Sequence, residues 1–274
     1  MIPFQIAGGS VTGRAHLAAG RNNQDAFRWA VDGDGLVAVV CDGCGSAPAS
    51  EVGAQIGARL LVAAAARLLR ADLEVTDLLE QVRQDVLASL GRLAREMTGD
   101  ASASPDPTAA ATFGRTVADH FLFTIVGVLI NGRGVTPFSL GDGLVIINGE
   151  RTQLGPFPNN EPPYLGYALL PGAPERGADD NLRFKVHRSV ATGELQSLVL
   201  GTDGAVELES MPARPLQGRA ERVGSLDQFW RDDRFFKNAD MVRRRLAIIN
   251  RGPRGALLSD DTTLVILRRK EAAG

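Results

Sequence analysis

Cysteine is nearly absent: the 274 residues include two, Cys41 and Cys44. That excludes a disulfide framework. A structural zinc site usually needs four ligands, and there is no second Cys pair to complete one. The Cys-x-x-Cys spacing encloses Asp42 and does not resemble a thioredoxin-like motif opening a helix, so Cys41 reads as a small core residue and Cys44 as a turn residue. A disulfide across Asp42 under oxidation is the other reading of the pair. Neither sign of charge dominates, with 30 Lys and Arg against 32 Asp and Glu and a net charge of −2; nothing suggests a nucleic-acid-binding surface. Long apolar runs are missing too: none approaches the about 18 residues of a membrane span. Residues Met1–Gln5 lack the charged and apolar regions of a signal peptide. A soluble cytoplasmic protein is expected. Hydrophobic content of 44% and charged content of 23% are ordinarily globular. The length suits a single domain over 1–274, with no repeats and no inter-domain linker.

What is present is a pattern of acids at strand ends. The apolar run Leu36–Cys41 reads as a strand buried on both faces, and it ends in Asp42-Gly43-Cys44-Gly45. A carboxylate there is desolvated and must take up a proton or find a cation. Alone, it would read as a turn aspartate bonded to its own backbone. The pattern recurs, however. Leu198–Leu200 leads into Gly201-Thr202-Asp203-Gly204, and Pro137–Leu140 into Gly141-Asp142-Gly143. Asn23-Gln24-Asp25 precedes the strand Ala26–Trp29, and Asp260-Asp261-Thr262-Thr263 precedes Leu264–Leu267. Acids so dispersed meet only where strand ends converge at one edge of a sandwich. Gathered there, they need counter-charge. Hard divalent cations with oxygen ligands, magnesium or manganese, supply it.

Taken in chain order, these segments resemble the metal-dependent serine/threonine protein phosphatases of type 2C, in their short bacterial form, over residues 10–268. The resemblance implies hydrolysis of phosphoserine or phosphothreonine in proteins by a water activated at a dinuclear centre, with no phosphoenzyme. It assigns a catalytic set of Asp42, Asp203 and Asp260, with Asp42 as the bridging ligand and Asp203 and Asp260 on the first ion. The Gly43 carbonyl and, mostly through water, Asp25 belong to the second ion, and Asp142 with Asp203 to a weaker third. The implied cofactors are two or three Mn2+ or Mg2+ ions. The implied partner is a phosphorylated protein opposed by a serine/threonine kinase, with no nucleic acid and no membrane.

Three positions depart from the family pattern. Gln24 stands where the family has Glu, and a neutral amide oxygen holds a cation less well. The family's phosphate-binding Arg lies five residues before the first Asp, where this chain has Gly20; Arg21 and Arg14 are the candidates to bind substrate. Cys44 stands where some members carry a proton-donating His. His16 is a candidate substitute, although a histidine near a turn is more often a structural residue bonded to backbone. Gln24 and the missing Arg favour an alternative, a weak or inactive phosphatase-like protein acting as a phosphoprotein-binding or regulatory module. A metal-stabilised structural protein is a third reading. Keeping Asp42, Asp203 and Asp260 favours activity, because buried acids without metal destabilise a fold.

The coarse pattern is α+β. Residues 4–12 and 25–31 read as strands, separated by a polar turn holding Arg14, His16 and Arg21. Ser46 reads as a helix cap with Pro48 in the first turn. Val52, Ile56, Leu60, Ala64 and Leu68 then make one helix face, and Gly53, Ala54, Gly57 and Ala58 keep the helix thin. A second helix runs from Leu78 to Met97, a mobile loop over 99–111, a strand over 120–130 and a meander of strands through 149. The Pro- and Gly-rich stretch 155–181 reads as a covering loop whose Phe157, Tyr164 and Tyr167 face substrate or pin the loop. Strands over 183–189 and 196–202, an irregular stretch over 210–225 and helices over 226–230 and 241–249 complete the chain, with Arg243-Arg244-Arg245 on a solvated face. The sum is a four-layer α-β-β-α sandwich, two antiparallel sheets flanked by antiparallel helix pairs.

Overall fold

Strand β3 (Gly35–Gly43) is buried along its apolar length. Side chains alternate across a strand, and here the two faces enter different cores. Val37, Val39 and Cys41 join one apolar cluster; Leu36, Ala38 and Val40 join another. In the computed structural model, which describes residues 2–99, 107–170, 180–252 and 255–270, these clusters separate the layers of a sandwich.

Two antiparallel five-stranded sheets carry the fold. The first runs β2 (Asp25–Asp32), β3, β4 (Phe123–Asn131), β5 (Gly134–Leu140), β8 (Lys185–Val186). The second runs β1 (Phe4–Val11), β12 (Thr262–Arg269), β9 (Ser197–Gly201), β6 (Gly143–Ile147), β7 (Glu150–Leu154). A two-stranded ladder, β10 (Arg251–Gly252) with β11 (Gly255–Ala256), stands apart. Helices α2 (Ser50–Leu68), α3 (Val75–Met97) and α4 (Pro107–His120) cover the first sheet through Leu61, Val82, Leu90 and Phe113. Helices α5 (Gly204–Glu209), α6 (Gln228–Arg231), α7 (Arg234–Lys237) and α8 (Met241–Ile249) cover the second through Leu208, Phe229, Phe235 and Leu246. Leu36, Val40, Val128, Leu198, Leu200 and Val265 fill the seam between the sheets.

Several expectations change in the structure. The polar turn before β2 contains a short helix, α1 (Arg14–Ala19), closed by Gly20 in the left-handed region at φ 64°. Ser46 does not cap α2, which starts at Ser50 behind Ala49. The chain first makes a turn in which Ala47 N–H reaches the Cys44 carbonyl. The buried face of α2 is the small one: Gly53, Ala54, Gly57 and Ala58 are buried, whereas Val52 is 37% exposed. Closeness decides this, since a Cβ on Gly53 would lie 1.9 Å from the His120 carbonyl oxygen and one on Gly57 2.2 Å from the Phe123 ring. Residues 107–120 form α4 instead of loop and strand, while residues 100–106 of the expected loop lie outside the described residues. The expected meander divides at Gly141-Asp142-Gly143, where the chain passes from the first sheet to the second. Gly141 at φ 98° and Gly143 at φ 139° make that crossing possible. The strand expected over 183–189 contracts to β8, in a different sheet from β9. The covering loop packs against α3 and α4 with Leu165 buried, and its residues 171–179 lie outside the described ones. Arg243 and Arg244 both pair with Asp240 on the surface, but Arg245 folds in to Gln228 and the Val223 carbonyl.

Candidate active site

The alternation that sorts the cores also aims the acids. Phe27 packs toward the seam, so Asp25, two residues earlier, faces it as well. The same step leads from Val40 to Asp42 and from Leu200 to Thr202. Register sets Asp25 opposite Asp42, and Asp42 opposite Thr124. Asp142 sits in the crossing between sheets, Asp203 follows β9 and Asp260 precedes β12. All reach one end of the seam. A cavity of about 80 Å³ lies there, lined by Asp42, Gly43, Asp142, Asp203, Asp260 and His16, with Asn160, Pro162 and Tyr164 of the covering loop as its outer wall. Asp25 is not in the lining. It lies behind Asp42, 3% exposed, and its Oδ2 accepts a hydrogen bond from Thr202 Oγ1 at 2.8 Å.

Burial and mutual repulsion act on these carboxyls together. Burial lifts Asp42 well above the ordinary carboxylate range, and Asp25, Asp203, Asp260 and Asp142 push it further. Burial likewise lifts Asp25, with Thr263 and Thr202 hydrogen bonds opposing and Asp261 and Asp203 adding to the rise. Asp203 is raised to about 6, by burial first and then by Asp260 and Asp142. Burial raises Asp142 too. Asp25 Oδ1, Asp203 Oδ1 and Gln24 Oε1 are buried with no hydrogen-bond partner. No lysine or arginine lines the cavity among the described residues.

The family model described as protein phosphatase 2C matches residues 12–239. The chain belongs to the protein phosphatase 2C family. Among solved structures, it resembles a variant of a bacterial serine phosphatase at 13% identity, covering 97% of this chain and 98% of that one with a TM-score of 0.49. It resembles RsbX in complex with magnesium at 15% identity, covering 97% and 96% with a TM-score of 0.45. Stp1 from Staphylococcus aureus shares 12% identity over 99% and 96%, with a TM-score of 0.44. A search of curated proteins returns no match.

In this 2C-family chain the arginine candidates stand off the cavity. Arg21 donates from Nη1 to the Gly45 carbonyl at 2.5 Å and from Nη2 to the Ala47 carbonyl at 2.8 Å. It clamps the turn that follows Asp42-Gly43. Arg14 is exposed on α1 and is not among the lining residues. His16 does line the cavity, with Nδ1 2.9 Å from Asp261 Oδ2. Gln24 is 1% exposed, and its Nε2 donates to the Ala47 carbonyl at 3.3 Å.

The cysteines are free thiols on opposite sides of Asp42. Cys41 is buried in the helix-facing core, where burial raises its thiol strongly. Cys44 is half-buried. Burial raises its thiol, but bonds with Ser46, Tyr164 and backbone N–H groups outweigh burial and lower it. Sequence reasoning missed Asp261. Its carboxylate accepts Gly13 N–H at 2.7 Å and Gln24 N–H at 2.5 Å, tying the entries to α1 and β2 onto β12. The doubled acid of Asp260-Asp261 was the available signal. Asn160 and Pro162 carried none.

The donor set fits hard divalent cations. It consists of carboxylates and carbonyls, it holds buried oxygens that lack partners, and its repulsion is relieved only by protons or cations.

Proposed function

We propose that this family member hydrolyses phosphoserine or phosphothreonine in a protein substrate, with divalent cations, Mn2+ or Mg2+, held at the seam end. One observation carries the reading: acids from four other segments gather around the buried Asp42 and push its pKa up, with oxygens of Asp25 and Asp203 left unpaired. Asp42 would be shared between two ions, with Asp203 and Asp260 on one and the Gly43 carbonyl and Asp25 on the other. Asp142 with Asp203 would hold a weaker third. Bound there, such ions neutralise a phosphoryl group and lower the pKa of water toward neutrality.

The chain's own residues do the rest. Arg21 and Gln24 fix the turn that carries Asp42 and Gly43. Tyr164, Asn160 and Pro162 of the covering loop form part of the cavity lining. A phosphoprotein substrate in turn implies a serine/threonine kinase that makes it. No helix among the described residues is long and apolar enough to cross a membrane.

A second reading, a phosphoprotein-binding module without turnover, is favoured by the engagement of Arg21 with two carbonyls. Phosphate release from a phosphothreonine peptide, measured with manganese, with magnesium and with chelator beside Asp203→Asn, decides between them. Metal-dependent release lost in Asp203→Asn supports hydrolysis. No release from folded protein whose melting temperature still rises with manganese supports the binding module.

A further inference from the structure

The side chain of His16 is 10% exposed, and its Nδ1 has no hydrogen-bond partner. Asp261 Oδ2 is 2.9 Å away, yet the pair lacks the alignment of a hydrogen bond. Asp260 Oδ1 is 3.8 Å away, on a side chain that is 53% exposed and lines the cavity. Donor atoms of His16, Asp260 and Asp261 all lie within 4.8 Å of one another. A buried imidazole nitrogen with nothing to bond is costly and calls for an explanation.

Asp261 stands close but out of line: its two oxygens accept the N–H groups of Gly13 and Gln24, which hold the carboxylate in place beside the imidazole. Asp260 is different, because its carboxylate belongs to the cavity lining. Two ligands of one small divalent ion each lie about 2.0–2.2 Å from it, so their donor atoms stand about 3–4 Å apart. The 3.8 Å between His16 Nδ1 and Asp260 Oδ1 falls in that range.

We propose that His16 is a nitrogen ligand to the ion held by Asp260, which makes this a mixed imidazole–carboxylate centre. The proposal rests on the reading that divalent ions bind among Asp42, Asp203 and Asp260. Its consequence is metal choice. Magnesium takes oxygen ligands and keeps its waters, whereas imidazole suits later first-row ions such as iron(II), cobalt(II) and zinc. Such a centre discriminates against magnesium more strongly than an all-oxygen one.

The test reads the nitrogen directly. The chain has three histidines. His120 Nδ1 lies 3.0 Å from the Thr116 carbonyl and His187 Nε2 lies 2.8 Å from Ser139 Oγ, and neither residue lines the cavity. Pulsed electron paramagnetic resonance of the Mn2+-loaded full chain should show imidazole nitrogen coupling, lost in His16→Gln. Titration calorimetry of the same variant should show Co2+ binding about tenfold weaker or more, with Mg2+ binding changed less than about threefold. Circular dichroism checks that His16→Gln folds; if it does not, the wild-type spectrum decides alone. Stoichiometric Mn2+ binding without nitrogen coupling overturns the His16 assignment and leaves the phosphatase reading intact. Absence of any ion binding by folded wild type, or binding unchanged in Asp203→Asn, overturns both.

Discussion

Neutralising Asp203 should stabilise the metal-free protein. Its carboxyl is raised from 3.8 to about 6, by burial first and then by Asp260 and Asp142. Holding it ionised at neutral pH therefore costs about 3 kcal/mol of folding free energy. The folded-state pKa is the higher one, so the favourable contribution is complete below pH 3.8. It is lost as pH rises through about 6, and stability is flat above that. Asp203→Asn removes the titrating group. In chelator at pH 7.5 the variant should exceed wild type by about 2–3 kcal/mol in urea unfolding, or melt about 4–9 °C higher. At pH 3.5 the two should coincide. Manganese at a hundred times its dissociation constant should return about 2.7 kcal/mol to wild type and much less to the variant. A variant no more stable than wild type in chelator at pH 7.5 refutes the argument that repulsion and burial load this carboxyl. So does a gain that persists unchanged at pH 3.5.

Four further outcomes follow from the packing. Gly57→Ala places a methyl 2.2 Å from the Phe123 ring and should lower stability by about 1–3 kcal/mol, read from urea midpoints. Asp261→Ala strands the buried N–H groups of Gly13 and Gln24 and should cost about 2–4 kcal/mol in chelator; an unchanged midpoint would deny Asp261 its tying role. Native protein should expose one thiol to an aromatic disulfide reagent, Cys44, and a second, Cys41, only on unfolding; two fast thiols would contradict the burial of Cys41. Gln24→Glu should lose about 1–2 kcal/mol, because a carboxylate would face the Ala47 carbonyl where the amide now donates; tighter manganese binding at unchanged stability would show instead that Gln24 is a weakened ligand.

Much of this was legible because the signals were local. The run Leu36–Cys41, apolar at every position, announces a strand covered on both sides, and the acids follow strand ends in an order that few other arrangements explain. The face of α2 was misread because hydrophobicity ranks Val52 and Ile56 above Gly53 and Gly57, whereas approach distance ranks them the other way. Helix α4 was hidden by the Ser-, Ala- and Pro-rich stretch before it. Its buried Phe113 and Val117 are four residues apart, a single helical step that the surrounding composition masks. The contacts that Arg21 and Asp261 make were out of reach for another reason. Arg21 meets carbonyls 24 and 26 residues away, and Asp261 holds N–H groups 248 and 237 residues away. Spacing along the chain carries no trace of such contacts.

Those contacts alter what the departures from the family pattern mean. Arg21 and Gln24 both donate to the Ala47 carbonyl, Arg21 also to the Gly45 carbonyl, and the Gln24 carbonyl accepts Gly43 N–H at 3.1 Å. The Gln24 N–H is held in turn by Asp261, beside His16. One connected set of bonds thus runs from the acidic segment before β2, through the turn after β3, to the acid pair before β12. A carboxylate at position 24 would lose the side-chain bond to Ala47, while the backbone bonds of residue 24 would remain. An arginine moved onto phosphate would release the turn that carries Asp42. Here Arg21 and Gln24 share the Ala47 carbonyl, and the cavity acids all remain. The turn that carries Asp42 and Gly43 therefore rests on Arg21 and Gln24 together, and removing either donor loosens it.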